Sequence, residues 1–167
     1  MIYALFVLAL ATAQTEDPLE GHSGIANYYR VRPDVATAGQ PSDDAWADVR
    51  AAGFKAVLNL RTEQEGSLEE RAKVEAAGLE YFNIPIGSDG IHESQAELFS
   101  KILGDSANRP LLIHCASSNR VGAMWFIHEV LDEGKDESSA LEEARKAGLR
   151  PSLEPAAKEY VSTKQKR

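Results

Sequence analysis

Cysteine occurs once in these 167 residues, as Cys115, so no internal disulfide can form and the fold must stand on packing alone. Cations are outnumbered, 18 against 26 acidic residues, and the net charge of −8 argues against nucleic acid or an anionic membrane surface as partner. The long apolar run that a membrane span needs is missing. Residues 2–11 are apolar, but ten residues fall short of the roughly twenty that cross a bilayer as a helix. His22, His92 and His128 show no ligand spacing, and with one cysteine they form no zinc pattern. There is no glycine-rich dinucleotide fingerprint and no Walker motif, so no metal or cofactor is implied. Repeats, low-complexity tracts and internal linkers are also lacking, and the length suits one domain with a real core.

At the start of the chain, the apolar run ends in Ala11-Thr12-Ala13 before Gln14, a small-x-small cleavage pattern. We therefore expect a signal peptide over residues 1–13, a periplasmic or secreted mature protein, and no stable membrane insertion after cleavage. A basic region before the run is missing, so a short buried element is the competing reading. Residues 14–26 are polar and read as a flexible lead-in, and residues 163–167 as a solvated basic tail.

Between these ends, strand patterns alternate with helix patterns. Strands are predicted over 28–32, 35–40, 54–60, 79–85 and 111–114. Helices are predicted from Ser42 as cap to Ala52, then over 67–77 with Ser67 as cap, and over 93–103, 120–131, 137–147 and 154–161. The 120–131 helix is apolar nearly all round, which places it centrally. Such alternation gives an α/β fold, a single domain over residues 27–162 with a mostly parallel sheet flanked by helices. Ligands in these folds sit at the carboxyl ends of the strands.

His114-Cys115-Ala116-Ser117-Ser118-Asn119-Arg120 lies at such an end, between the 111–114 strand and the helix after it. A lone cysteine is more often a small buried hydrophobe than a catalyst. Here the strand before, the helix after and the arginine five residues on favour chemistry. A helix N-terminus offers free N–H groups and positive potential, which lower a thiol pKa and cradle an anion. Arg120 adds a planar, permanently charged fork for a tetrahedral oxyanion.

These residues resemble the cysteine-dependent phosphatase superfamily. The nearer likeness is to a bacterial branch, the phosphatase-like domain found with beta-lactamase-like hydrolases. It rests on Gly39-Gln40-Pro41-Ser42, Asn59-Leu60-Arg61 and the His114 to Arg120 motif, and runs from about Tyr28 to Tyr160. Three departures stand out. Ser118 occupies a position usually held by glycine and is expected to strain the cradle. Val121 replaces a hydroxyl residue that helps the thiolate leave. The loop from Cys115 to Arg120 is one residue shorter than in most of the superfamily, a length shared with rhodanese-type sulfurtransferases.

The resemblance implies a phosphatase acting on a phosphorylated small molecule or protein. Cys115 is then the nucleophile, and Arg120 with the backbone N–H groups of Ala116, Ser117, Ser118 and Asn119 binds the oxyanion. Asp89 is the candidate general acid, with Glu93 as substitute; Gly87-Ser88-Asp89-Gly90 also suits a plain turn. His114 is expected on the strand face away from the pocket, supporting Cys115, and Asn119 pins the loop or caps the helix. Arg61 either faces the pocket or, as favoured, pairs with Glu63 or Glu65. Trp46, Trp125 and Phe126 read as core. Two alternatives stay open: a sulfurtransferase carrying a persulfide on Cys115, and an oxyanion-binding module without turnover.

Overall fold

Leu111, Leu112, Ile113 and His114 are all fully buried, because their strand is the middle of a sheet covered on both faces. The computed structural model describes residues 17–166. In chain order its elements are β1 (Tyr29–Arg32), β2 (Val35–Ala38), α1 (Ala45–Ala51), β3 (Ala56–Asn59), α2 (Ser67–Ala76), β4 (Glu80–Asn83), α3 (Glu93–Gly104), β5 (Leu111–His114), α4 (Asn119–Leu131), α5 (Glu137–Lys146) and α6 (Glu154–Gln165). Short 3-10 turns lie at Glu63–Glu65 and Ser106–Asn108. The sheet order is β1-β2-β5-β3-β4, with β1 antiparallel at the edge and the rest parallel. This is the expected α/β fold.

Alternation along the strands splits the core. Leu58, Leu111 and Ile113 face Phe99 and Leu103 of α3 and Met124 and Trp125 of α4. Val57 and Leu112 face Trp46 and Val49 of α1 and Val74 of α2. The far side of α4 packs Ala123, Phe126 and Ile127 against Ala140 and Ala144 of α5 and Ala157 and Val161 of α6. Helix α4 is thus buried all round, as its sequence requires. Among the described residues no helix is long and apolar enough to cross a membrane.

The ends differ from expectation. Residues 17–26 are not a loose lead-in: Leu19 and Ile25 are buried, and Asp17 accepts from Tyr28 Oη at 2.7 Å and from Arg30. Two apolar anchors in a polar stretch are enough to fix it. Likewise Thr163, Lys164 and Gln165 form the last turn of α6, where Lys164 pairs with Glu93, so no tail begins at 163. The expected signal peptide, residues 1–13, lies outside the described residues. Helix α1 starts at Ala45 behind Asp44 rather than at Ser42, whose N–H is held by the Gly24 carbonyl at 2.8 Å. Ser67 is the first residue of α2, not its cap; its hydroxyl donates to Asn83 Oδ1 at 3.2 Å.

Candidate active site

Strand β5 delivers Cys115 to the base of a tight loop and α4 takes over at Asn119. Turning between them puts Ser118 in the left-handed region, at φ +68°, where a Cβ is unfavourable. The strain expected of a serine here is therefore present, and its neighbours accommodate it. Ser118 Oγ donates to the Ala147 carbonyl at 2.7 Å. Gly148 lies directly against it, leaving room that no other residue would leave. Asn119 pins the same segment: its Oδ1 accepts from Arg150 N at 2.8 Å and its Nδ2 donates to Ser152 Oγ at 3.0 Å. Gln40 N donates to the Ala116 carbonyl at 3.2 Å, tying the loop to the end of β2. Among the described residues, no protein acceptor takes the N–H groups of Ala116, Ser117, Asn119 or Arg120. These are free donors gathered at a helix N-terminus.

Cys115 is 1% exposed and belongs to the core cluster beneath this ring of donors, with Val121 buried beside it. Arg120 reaches from the first turn of α4 to the segments that follow β3 and β4. It donates to Glu65 through both nitrogens of its fork, at 2.6 and 2.7 Å, and to the Ile86 carbonyl at 2.9 Å. That pair pulls the Glu65 carboxyl down to about 2, and Arg120 is raised by Glu65 first and then by Cys115. Glu65 is itself fixed by Thr62, which donates to it from N at 2.9 Å and from Oγ1 at 3.0 Å.

His114 is fully buried on the opposite face from Cys115, against Trp46 at 5.7 Å between ring centroids. Its Nε2 lies 2.9 Å from Glu70 Oε1, an ion-pair distance, although the ring N–H does not aim along that line. Glu70 also accepts from Asn59 Nδ2 at 2.7 Å and from Gln40 Nε2, and Arg61 Nη1 approaches it at 3.4 Å. Burial pushes the Glu70 carboxyl up, yet His114, Gln40 and Arg61 together leave it below its ordinary value. Arg61 thus pairs with Glu70 and Gln40, not with Glu63 or Glu65. The reason is that Glu65 is already committed to Arg120 and Thr62. Neither Glu65 nor Glu70 stood out in the sequence. Thr62-x-x-Glu65 reads as a helix start, and Glu70 sits in a run of charges that reads as solvated.

Above the loop opens a cleft of about 1070 Å³, floored by Ser117 and Arg120. Ile86 and Ile91 line it on one side, and Leu153 and Tyr160 on the other. Asp89 is on its wall, on the loop after β4 where the sequence placed it. It is fully exposed and bonded to His92 Nε2 at 2.7 Å, which lowers its proton affinity. Glu93 is turned toward Lys164. Among the described residues no cluster of three or more His, Cys, Asp or Glu could hold a metal.

Residues 27–132 match the model of the beta-lactamase hydrolase-like protein, phosphatase-like domain. The beta-lactamase hydrolase-like protein of Agrobacterium fabrum is 29% identical over 119 residues, which cover 68% of this chain and 27% of that protein. The chain therefore spans about a quarter of that relative's length. Two solved structures share the fold. P. aeruginosa TpbA in complex with pTyr has a TM-score of 0.66 at 21% identity, covering 93% of this chain and 91% of its own. The core catalytic domain of the PP-IP phosphatase SIW14 from S. cerevisiae has a TM-score of 0.68 at 18% identity, covering 81% and 83%.

Proposed function

The chain belongs to the family of the beta-lactamase hydrolase-like protein, phosphatase-like domain, and from that premise we propose that it is a cysteine-dependent phosphatase of phosphate monoesters. One observation carries the reading. A single buried cysteine follows the end of the central strand, next to free N–H donors and near Arg120, and the same loop lines a cleft through Ser117, Asn119 and Arg120. The Cys115 thiolate attacks phosphorus, forming an S–P bond as the P–O bond to the leaving group breaks. Arg120 and the loop N–H groups bind the three equatorial oxygens and stabilise their charge. Water then attacks phosphorus, the S–P bond breaks, and inorganic phosphate leaves with the thiolate restored. Buried Val121 offers no hydroxyl to that departing sulfur, so this second step is the slower one.

Asp89 is assigned as the acid that protonates the leaving oxygen. Its bond to His92 must open for it to hold a proton, and its exposed position leaves it free to do so. The apolar walls at Ile86, Ile91, Leu153 and Tyr160 suit an aryl or other uncharged body, and phosphotyrosine, the ligand of the TpbA complex, fits that description. An exported location rests on the apolar segment ending at Ala13. The test is phosphate release from an aryl phosphate under reducing conditions. Activity that disappears in Cys115→Ser and falls about 100-fold or more in Arg120→Lys supports the mechanism. Equal activity in Cys115→Ser refutes it.

A further inference from the structure

A buried carboxylate is stable when every lone pair it carries meets a donor. Glu70, 4% exposed, gathers three donors and the nearby His114 ring from segments of three neighbouring parallel strands. Its Oε1 receives Asn59 from the end of β3 at 2.7 Å and lies 2.9 Å from His114 Nε2 at the end of β5. Its Oε2 receives Gln40, just past β2, and faces Arg61, just past β3, at 3.4 Å. Each of these segments in turn touches the cradle. Gln40 N holds the Ala116 carbonyl at 3.2 Å, Leu60 N holds the His114 carbonyl at 2.9 Å, and His114 precedes Cys115. The Leu60 carbonyl also accepts from Arg120 at 3.4 Å. The three sequence motifs, around Gln40, Asn59 and His114, therefore converge on one side chain that none of them contains. Glu70 does not line the cleft and meets His114 on the face of β5 opposite Cys115.

We propose that Glu70 is a positioning residue of the oxyanion cradle: its carboxylate sets the spacing of the β2, β3 and β5 ends and so the placement of the Cys115 loop. The inference rests on the reading of that loop as an oxyanion site. Glutamine in its place would keep the shape but turn an amide N–H toward two donors, opening one side of the hub. The cradle would then lose the pre-organisation on which tight anion binding depends.

The experiment is calorimetric titration of the whole protein with tungstate, a tetrahedral dianion of phosphate's shape, well below the Tm of every variant. Glu70→Gln is expected to weaken binding about tenfold, the scale on which small misplacements act. Gln40→Leu should weaken it less, and the double variant should bind no worse than Glu70→Gln alone, since both act through one hub. Glu129→Gln is the control: another buried carboxyl, in α4 and outside the cleft, whose loss alters stability and leaves binding unchanged. Binding by Glu70→Gln within about twofold of wild type overturns the proposal, as does an equal loss in Glu129→Gln. If Glu70→Gln does not fold, Gln40→Leu decides, and unaltered binding there overturns it. Wild type that binds tungstate but hydrolyses no phosphate ester defeats the phosphatase reading and leaves Glu70 in its role.

Discussion

Gly148 and Ser118 are a matched pair: a Cβ on Gly148 would lie 2.4 Å from the Ser118 Cβ. The glycine missing from the loop is thus answered by a glycine opposite it, on the segment between α5 and α6. Gly148 has φ +111°, a conformation that resists any side chain for its own reasons as well.

Gly148→Ala should accordingly cost about 3 kcal/mol, combining left-handed strain with overpacking, and lower Tm by roughly 10 °C. Ser118→Gly relieves the strained φ but loses the bond to Ala147 and gains unfolded-state freedom, so stability should stay within about 1 kcal/mol. Calorimetry on both variants checks the pairing; a harmless Gly148→Ala would break it.

Glu65 bears on acid stability. Arg120 depresses its carboxyl from 4.5 to about 2. A depressed acid contributes stability that is complete above its unfolded value and is lost as pH falls toward the folded one. Wild type should therefore lose this contribution between pH 4.5 and about 2, and Glu65→Gln should show a flatter acid limb in that window. The pair is partly exposed, so the effect is modest and shrinks in salt. Identical acid unfolding curves would show that the pair contributes nothing.

Asp89 should matter in proportion to the leaving group. Asp89→Asn is expected to slow turnover about 100-fold for an alkyl phosphate and much less for a nitrophenyl phosphate, whose phenolate leaves without a proton. Tungstate affinity should not move. An equal effect on both substrates would remove Asp89 from the proton transfer.

Glu129 makes the opposite pH prediction. Burial first, and the neighbouring Glu143 after it, raise its carboxyl from 4.5 to about 7, against Lys135 at 2.6 Å and Arg32 at 3.8 Å. For a raised acid the contribution is present below pH 4.5 and lost as pH rises through about 7. Glu129→Gln should gain on wild type between pH 5 and pH 8 in melting experiments. A constant difference across that range would place the titration elsewhere.

The sequence read well wherever the physics is local. Period-two and helical patterns located each strand and α-helix core, and the strand–loop–helix around Cys115 followed from a buried run meeting a helix start. Where the reading slipped, a distant partner decided. Nothing near Leu19 or Ile25 shows that Trp46 and Leu112 wait to cover them. Nothing near Arg61 shows that Glu65 is taken by a residue 55 positions later.

Glu70 makes the division plain. By itself the sequence determined the fold class, the place of Cys115 just after a strand end and the strand–turn–helix that gathers free N–H groups beside it. These depend on backbone hydrogen bonding, on side-chain period and on the helix N-terminus, all set by neighbours in the chain. Only the tertiary structure decided that Glu70 is a buried hub, that Glu65 holds Arg120, that Gly148 makes room for Ser118 and that α6 walls the cleft. In a strand order of β1-β2-β5-β3-β4, residues far apart in sequence become touching neighbours. A carboxylate on a helix looks solvated until the strands that cover it are in place.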